Sequence, residues 1–80
     1  MKTIGEMLNR FKREYPEVKI TDIYDDDKEI LIRGLQNGQA DFYFIKKIDG
    51  SIRLYYSRGD AVRISNIIQN NKRINIQNEE

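Results

Sequence analysis

The chain has 80 residues, no Cys, no His and a formal net charge of +1, with 34% of its residues charged. That length implies one small domain with a thin core, because so short a chain buries only roughly 60–70% of the surface its unfolded form exposes. The missing residue types exclude disulfides, thiolate or imidazole metal ligation and His-based catalysis, and the near balance of charge removes the basic excess on which non-specific nucleic-acid affinity rests.

The N-terminus carries Glu6 where a signal peptide needs an apolar core, and no apolar run approaches the roughly 20 residues of a membrane span. The expectation is a soluble cytoplasmic protein without a membrane partner. Thr3-Ile4-Gly5-Glu6 matches a capping box, in which Thr3 accepts from the third helical amide and Glu6 reaches back to the cap. Ile4, Met7, Leu8, Phe11 and Tyr15 follow at helical spacing, with Asn9, Arg10, Lys12, Arg13 and Glu14 on the other side. Pro16 stops this helix after about three turns.

Residues 18–24 are rich in β-branched side chains. Val18 and Ile20 alternate, and the phase then shifts to Ile23, which predicts a bulge or an early strand end. Asp25-Asp26-Asp27-Lys28 forms a loop, and strands are expected over 29–35, 40–48 and 51–56, divided by Asn37-Gly38 and Asp49-Gly50. Asn-Gly and Asp-Gly between apolar runs are strong hairpin signals. Ser57-Arg58-Gly59-Asp60 breaks the pattern and offers Asp60 as the N-cap of a second helix, whose face carries Ala61, Ile64, Ile67 and Ile68. Lys72 and Arg73 suit its C-terminal dipole. The expected domain covers residues 1–73, and the tail 74–80 is read as a short extra strand or, more in keeping with its composition, as frayed.

Two-residue turns at both hairpins would set Ile32 against Tyr43 and Ile30 against Ile45, then Ile45 against Leu54 and Tyr43 against Tyr56. One face then carries Ile30, Ile32, Tyr43, Ile45, Ile52, Leu54 and Tyr56, and both helices are expected to cover it. The other carries Leu31, Arg33, Leu35, Phe42, Phe44, Lys46, Arg53 and Tyr55, an aromatic and basic patch of the kind that marks an interaction site. A one-residue slip would exchange the faces, so the reading with Phe42 and Phe44 as core stays open.

Phe42, Phe44 and Tyr55 among Arg33, Lys46 and Arg53 have the chemistry of base stacking and phosphate contact. Phe42-Tyr43-Phe44-Ile45 faintly resembles the aromatic core of an RRM's RNP1 but lacks its Arg-Gly start and middle Gly. The order helix, meander, helix is similar to a double-stranded RNA-binding domain with one strand too many. Asp60-Ala61-Val62-Arg63 stands where that family has a Lys-rich helix start, and its loop His has no counterpart, so its binding residues do not carry over. Asp25, Asp26, Asp27 and Glu29 suit a hard cation in type, yet EF-hand spacing fails at Ile30 and Gln36, and a solvated turn is the simpler account. Arg58-Gly59-Asp60 spells an integrin-type tripeptide that a strand-to-helix turn explains. No nucleophile is paired with a base and no phosphate loop is present, so no catalytic residue, cofactor or metal is assigned.

The fold expected is a two-layer α+β domain, a four-stranded antiparallel meander in the order α-β-β-β-β-α with both helices on one face. The function expected is that of a small non-catalytic interaction module: a regulator, adaptor or inhibitor of a protein partner, or a homodimer. Its contacts would come from Leu31, Arg33, Phe42, Phe44, Lys46, Arg53 and Tyr55. The alternative is single-stranded nucleic-acid binding on the same face. In style, a short motif-free chain of this kind resembles proteins of phages and other mobile elements, with no residue attached to that likeness.

Overall fold

The computed structural model describes residues 3–55, 58–70 and 73–74. Helix α1 spans Ile4–Glu14 and opens with the expected capping box: Thr3 N–H donates to Glu6 Oε1 at 2.9 Å, and Glu6 N–H donates to Thr3 Oγ1 at 3.1 Å. It closes where Pro16 prevents continuation, with Tyr15 N–H donating to Phe11 O at 2.8 Å. Met7, Leu8 and Phe11 share the buried stripe.

Strands β1 (Lys19–Asp25), β2 (Glu29–Gln36), β3 (Gln39–Lys46) and β4 (Ile52–Leu54) form the antiparallel meander. After helix α2 (Arg58–Asn70), the two-residue β5 (Arg73–Ile74) adds to the free side of β1, giving the order β4-β3-β2-β1-β5. The C-terminal segment thus contributes a short strand at Ile74; residues 75–80 lie outside the described residues.

The phase shift in β1 is a bulge, its register breaking between Ile20 and Asp22. The extra residue, Thr21, uses its hydroxyl where the ladder is interrupted, donating to Arg33 O at 3.0 Å. Asn37-Gly38 is the expected two-residue turn: both residues have positive φ (55° and 78°), as a type I′ hairpin requires, and Gln36 pairs with Gln39. The second hairpin differs. Lys46 N–H donates to Ser51 O and Gly50 N–H to Lys46 O, so the connection is a wider loop over 47–50 closed by Gly50 at φ 73°. Ile45 consequently faces Ile52 and Tyr43 faces Leu54, two residues from the expected register; Tyr56 lies outside the described residues. An even shift keeps each side chain on its face.

The placement of the second helix corrects the sequence-based picture. Helix α1 covers one face, packing Met7, Leu8 and Phe11 on Ile23, Ile30, Ile32, Tyr43 and Ile45. Helix α2 covers the opposite face, setting Ile64 and Ile67 on Leu31 and Phe44. The sheet is therefore the middle layer, with a helix on each side. The physical reason lies in β2: Ile30, Leu31 and Ile32 are all fully buried, and a strand with apolar side chains on both faces requires cover on both.

Helix α2 starts before Asp60, which is a first-turn residue and not the N-cap. Its carboxylate, nearly buried, accepts from Arg53. Ile64 and Ile67 point inward as expected, while Ala61 and Ile68 remain exposed. The helix ends at Asn70; Lys72 lies outside the described residues and Arg73 belongs to β5.

Candidate functional site

The seven residues assigned to a surface patch divide into three groups. Leu31 and Phe44 are core, 0% and 2% exposed beneath α2, which corrects their expected exposure. Arg53 joins them from the edge. Its guanidinium lies 4.8 Å from the Phe44 ring centroid and donates to both Asp60 oxygens at 3.0 Å. Arg63 approaches the same ring at 5.9 Å and pairs with the buried Glu29. The aromatic and basic composition that reads as an interface here builds the contact between helix and sheet: each arginine covers Phe44 while a carboxylate satisfies its charge.

The second group is the row beside it, Arg33, Phe42 and Tyr55. Phe42 and Tyr55 are half-buried and meet edge to face at 6.4 Å. Arg33 turns along the sheet, donating to Thr21 Oγ1 at 3.0 Å with Asp22 Oδ2 at 3.7 Å. Lys46 stands apart, exposed at the far end of β3.

Two features absent from the sequence-based set flank these residues. Among the described residues, β4 ends the sheet. Tyr55 N–H donates to Phe42 O and Lys46 N–H to Ser51 O, so residues 51, 53 and 55 turn their backbone groups toward β3 while Ile52 and Leu54 turn theirs outward. Leu54 is also one of the exposed large apolar side chains, at 36%. The signal for this edge was β4's position as last strand of the meander. The other feature is a cleft of about 520 Å³ where the β1–β2 and β3–β4 turns converge, lined by Asp27, Lys28, Glu29, Lys46, Lys47, Ile48 and Arg63. Lys47 N–H donates to Lys28 O at 3.0 Å and fastens the two turns together.

Two carboxylates of the acidic segment are committed internally. Asp25 Oδ1 lies 2.7 Å from Lys47 Nζ, and Glu29 pairs with Arg63. No group of three or more potential ligand side chains is placed to hold a metal ion among the described residues. Asp60, 8% exposed, is turned into the fold, which leaves Arg58-Gly59-Asp60 without the displayed carboxylate an integrin-type motif needs. Two ionisable groups are displaced from their usual range. Burial, reinforced by Asp41, Tyr15 and Glu17, raises the Tyr43 phenol, and the hydrogen bond from Ser51 N–H at 2.9 Å lowers Asp49. No helix among the described residues is long and apolar enough to cross a membrane.

Compared with protein-family models, curated proteins and solved structures, the chain shows no significant match.

Proposed function

We propose that the protein is a small non-catalytic interaction module that docks a protein partner, most directly a second copy of itself, along β4. The observation that carries this reading is the β4 edge, which no further strand pairs with among the described residues. The outward backbone groups of Ile52 and Leu54 adjoin the partly exposed Leu54 side chain and the half-buried Phe42–Tyr55 pair. An edge of this kind accepts an additional antiparallel strand, with main-chain hydrogen bonds giving affinity and neighbouring side chains giving specificity. A two-fold axis at Arg53 would set Ile52 of one copy against Leu54 of the other, and Asp60 offsets the charge of each Arg53. Burial of Phe44 beneath α2 and the pairing of Arg53 with Asp60 weigh against single-stranded nucleic acid on this face, since bases need an open aromatic platform.

Light scattering over a concentration series tests the self-paired form. Leu54→Pro removes an outward N–H but no β3–β4 hydrogen bond, so it should yield a folded monomer from a wild-type dimer. A wild-type monomer at all concentrations would remove the second copy as the occupant. Amide protection at Ile52 and Leu54 on binding a different protein would then be the required sign.

A further inference from the structure

We infer that α2 is a releasable cover: together with β5 it lifts from the sheet as a unit, exposing Leu31 and Phe44, while α1 and the meander stay folded. The inference does not depend on the reading of the β4 edge. The two helices are held by different means. Helix α1 buries Met7, Leu8 and Phe11 in an apolar cluster, with Ile4, Tyr15 and Val18 packed around them. For α2, apolar burial among the described residues comes from Ile64 and Ile67, and the anchors beside them are charged: Asp60 on Arg53 and Arg63 on Glu29. A cleft of about 380 Å³ opens along the flank of its second half, lined by Arg63, Asn66 and Asn70 of the helix and by Asp26 and Asp27 of the β1–β2 turn. Its far end is fastened by β5, where Arg73 faces Tyr24 and Ile74 faces Ile23.

The two kinds of anchor respond differently to separation. Apolar surface resists exposure to water in proportion to its area. A carboxylate and a guanidinium drawn apart into solvent both recover hydration, which offsets much of the attraction lost. Arg53 and Arg63 are already half-exposed, while the nearly buried Asp60 and Glu29 regain water on release. Helix α2 is also poor at standing alone. Val62, Ile64, Ile67 and Ile68 are β-branched, Gly59, Ser65, Asn66 and Asn70 are weak helix formers, and its last turn holds no basic residue. Helix α1, in contrast, has its capping box, an Arg10–Glu14 pair at 2.8 Å, and Lys12 and Arg13 in the last turn. A helix as short as α2 and of its composition is formed only while docked, so undocking and unwinding are one event. Its release uncovers Phe44 beside Phe42 and Tyr55. It also separates Asp60 from Arg53, so the charge at β4 follows the position of the cover.

Native-state hydrogen exchange of the full chain, followed by NMR at low urea concentrations, is the test. The amides of Ile64, Ile67 and Ile68 should share one opening reaction, protected at least about tenfold less than the amides of β2 and β3. Their urea dependence should be measurable but smaller than that of β2 and β3, because the opening exposes only part of the surface that unfolding does. Two substitutions then separate a cover from a single cooperative fold. Ile32→Val deletes a methyl group from the α1-side core, which stays intact whether α2 is seated or lifted. It should lower protection in α1, β2 and β3 roughly three- to tenfold and leave the α2 amides unchanged. Arg63→Met removes an anchor made only in the closed state, so it should lower protection in α2 and in the meander by the same factor. The inference is overturned if the α2 amides are as protected as those of β2 and β3, or exchange without protection or without urea dependence. It is equally overturned if Ile32→Val lowers α2 protection as much as that of β2, or if Arg63→Met leaves α2 protection unchanged.

Discussion

Arg53 Nη1 and Nη2 each lie 3.0 Å from a different oxygen of Asp60, so the last strand of the meander is joined to the first turn of α2 by a two-pronged ion pair. The same guanidinium lies over Phe44. One side chain therefore fixes where the helix begins and roofs the aromatic ring beneath it. The geometry is that of a bidentate charge-assisted pair, which combines direction with attraction.

Removing Arg53 should cost more than the exposure of its side chain suggests. The Asp60 side chain is 11% exposed and would lose this two-pronged pairing, whereas Arg53 is 45% exposed and partly screened by solvent. Arg53→Met is expected to destabilise the fold by about 1–2 kcal/mol, and Arg53→Met with Asp60→Asn to cost less than the sum of the single changes. Urea denaturation of all four proteins of the cycle measures the coupling. Strict additivity would mean that the pair contributes nothing to stability.

Two glycines in the same hairpin should respond to alanine for different reasons. A Cβ on Gly34 would overlap Val18 Cγ1, a β-branched side chain with little freedom to move, whereas a Cβ on Gly38 meets nothing but must adopt φ 78°. Gly34→Ala is expected to cost about 1–3 kcal/mol by overpacking and Gly38→Ala about 1–2 kcal/mol by backbone strain. Adding Val18→Ala should restore stability only to the Gly34 variant. Denaturation midpoints of the two pairs decide whether space or backbone is the constraint at each site.

Much of the architecture is legible in short stretches of sequence because local chemistry dictates it. Thr3 and Glu6 define a helix start, Asn37-Gly38 defines a turn and its register, and the phase change from Ile20 to Ile23 marks the bulge at Thr21. The side of the sheet taken by α2 is not local, since it depends on how the chain after β4 crosses the sheet. Its trace is the unbroken run Ile30-Leu31-Ile32, which marks cover on both faces, while Phe44 among arginines looks equally like an interface until Asp60 and Glu29 are seen to hold those arginines. Asp49-Gly50 misleads in a smaller way. Asp49 accepts from Ser51 N–H and Gly50 closes a wider loop, so the dipeptide marks the turn correctly but not its width.

Phe44 and Tyr55 should separate sharply on truncation. Phe44→Ala removes a ring at the centre of the α2-side core and is expected to cost about 3–5 kcal/mol, enough to unfold much of a domain this small. Tyr55→Ala, at a half-buried position on the row beyond, should cost roughly half as much or less and leave a cooperative transition. Circular dichroism with thermal melts distinguishes them. Equal tolerance of both changes would mean that α2 is not held by Phe44.

Tyr43 makes the stability of the protein sensitive to alkali. The residue is 3% exposed, its ring packs against Phe11 at 4.9 Å and Tyr15 at 5.2 Å, and burial together with the nearby charges of Asp41 and Glu17 raises its pKa. The folded state thus holds this proton more tightly than the unfolded chain does. The resulting stabilisation is fully present below the ordinary phenol value of about 10 and is lost as pH rises through the raised value of the folded state. Tyr43→Phe keeps the ring contacts and removes the ionisation, so the variant should match the wild type near neutral pH and lose less stability above about pH 10. Urea denaturation at neutral and alkaline pH provides the comparison. Parallel losses in the two proteins would assign the alkaline sensitivity to other groups.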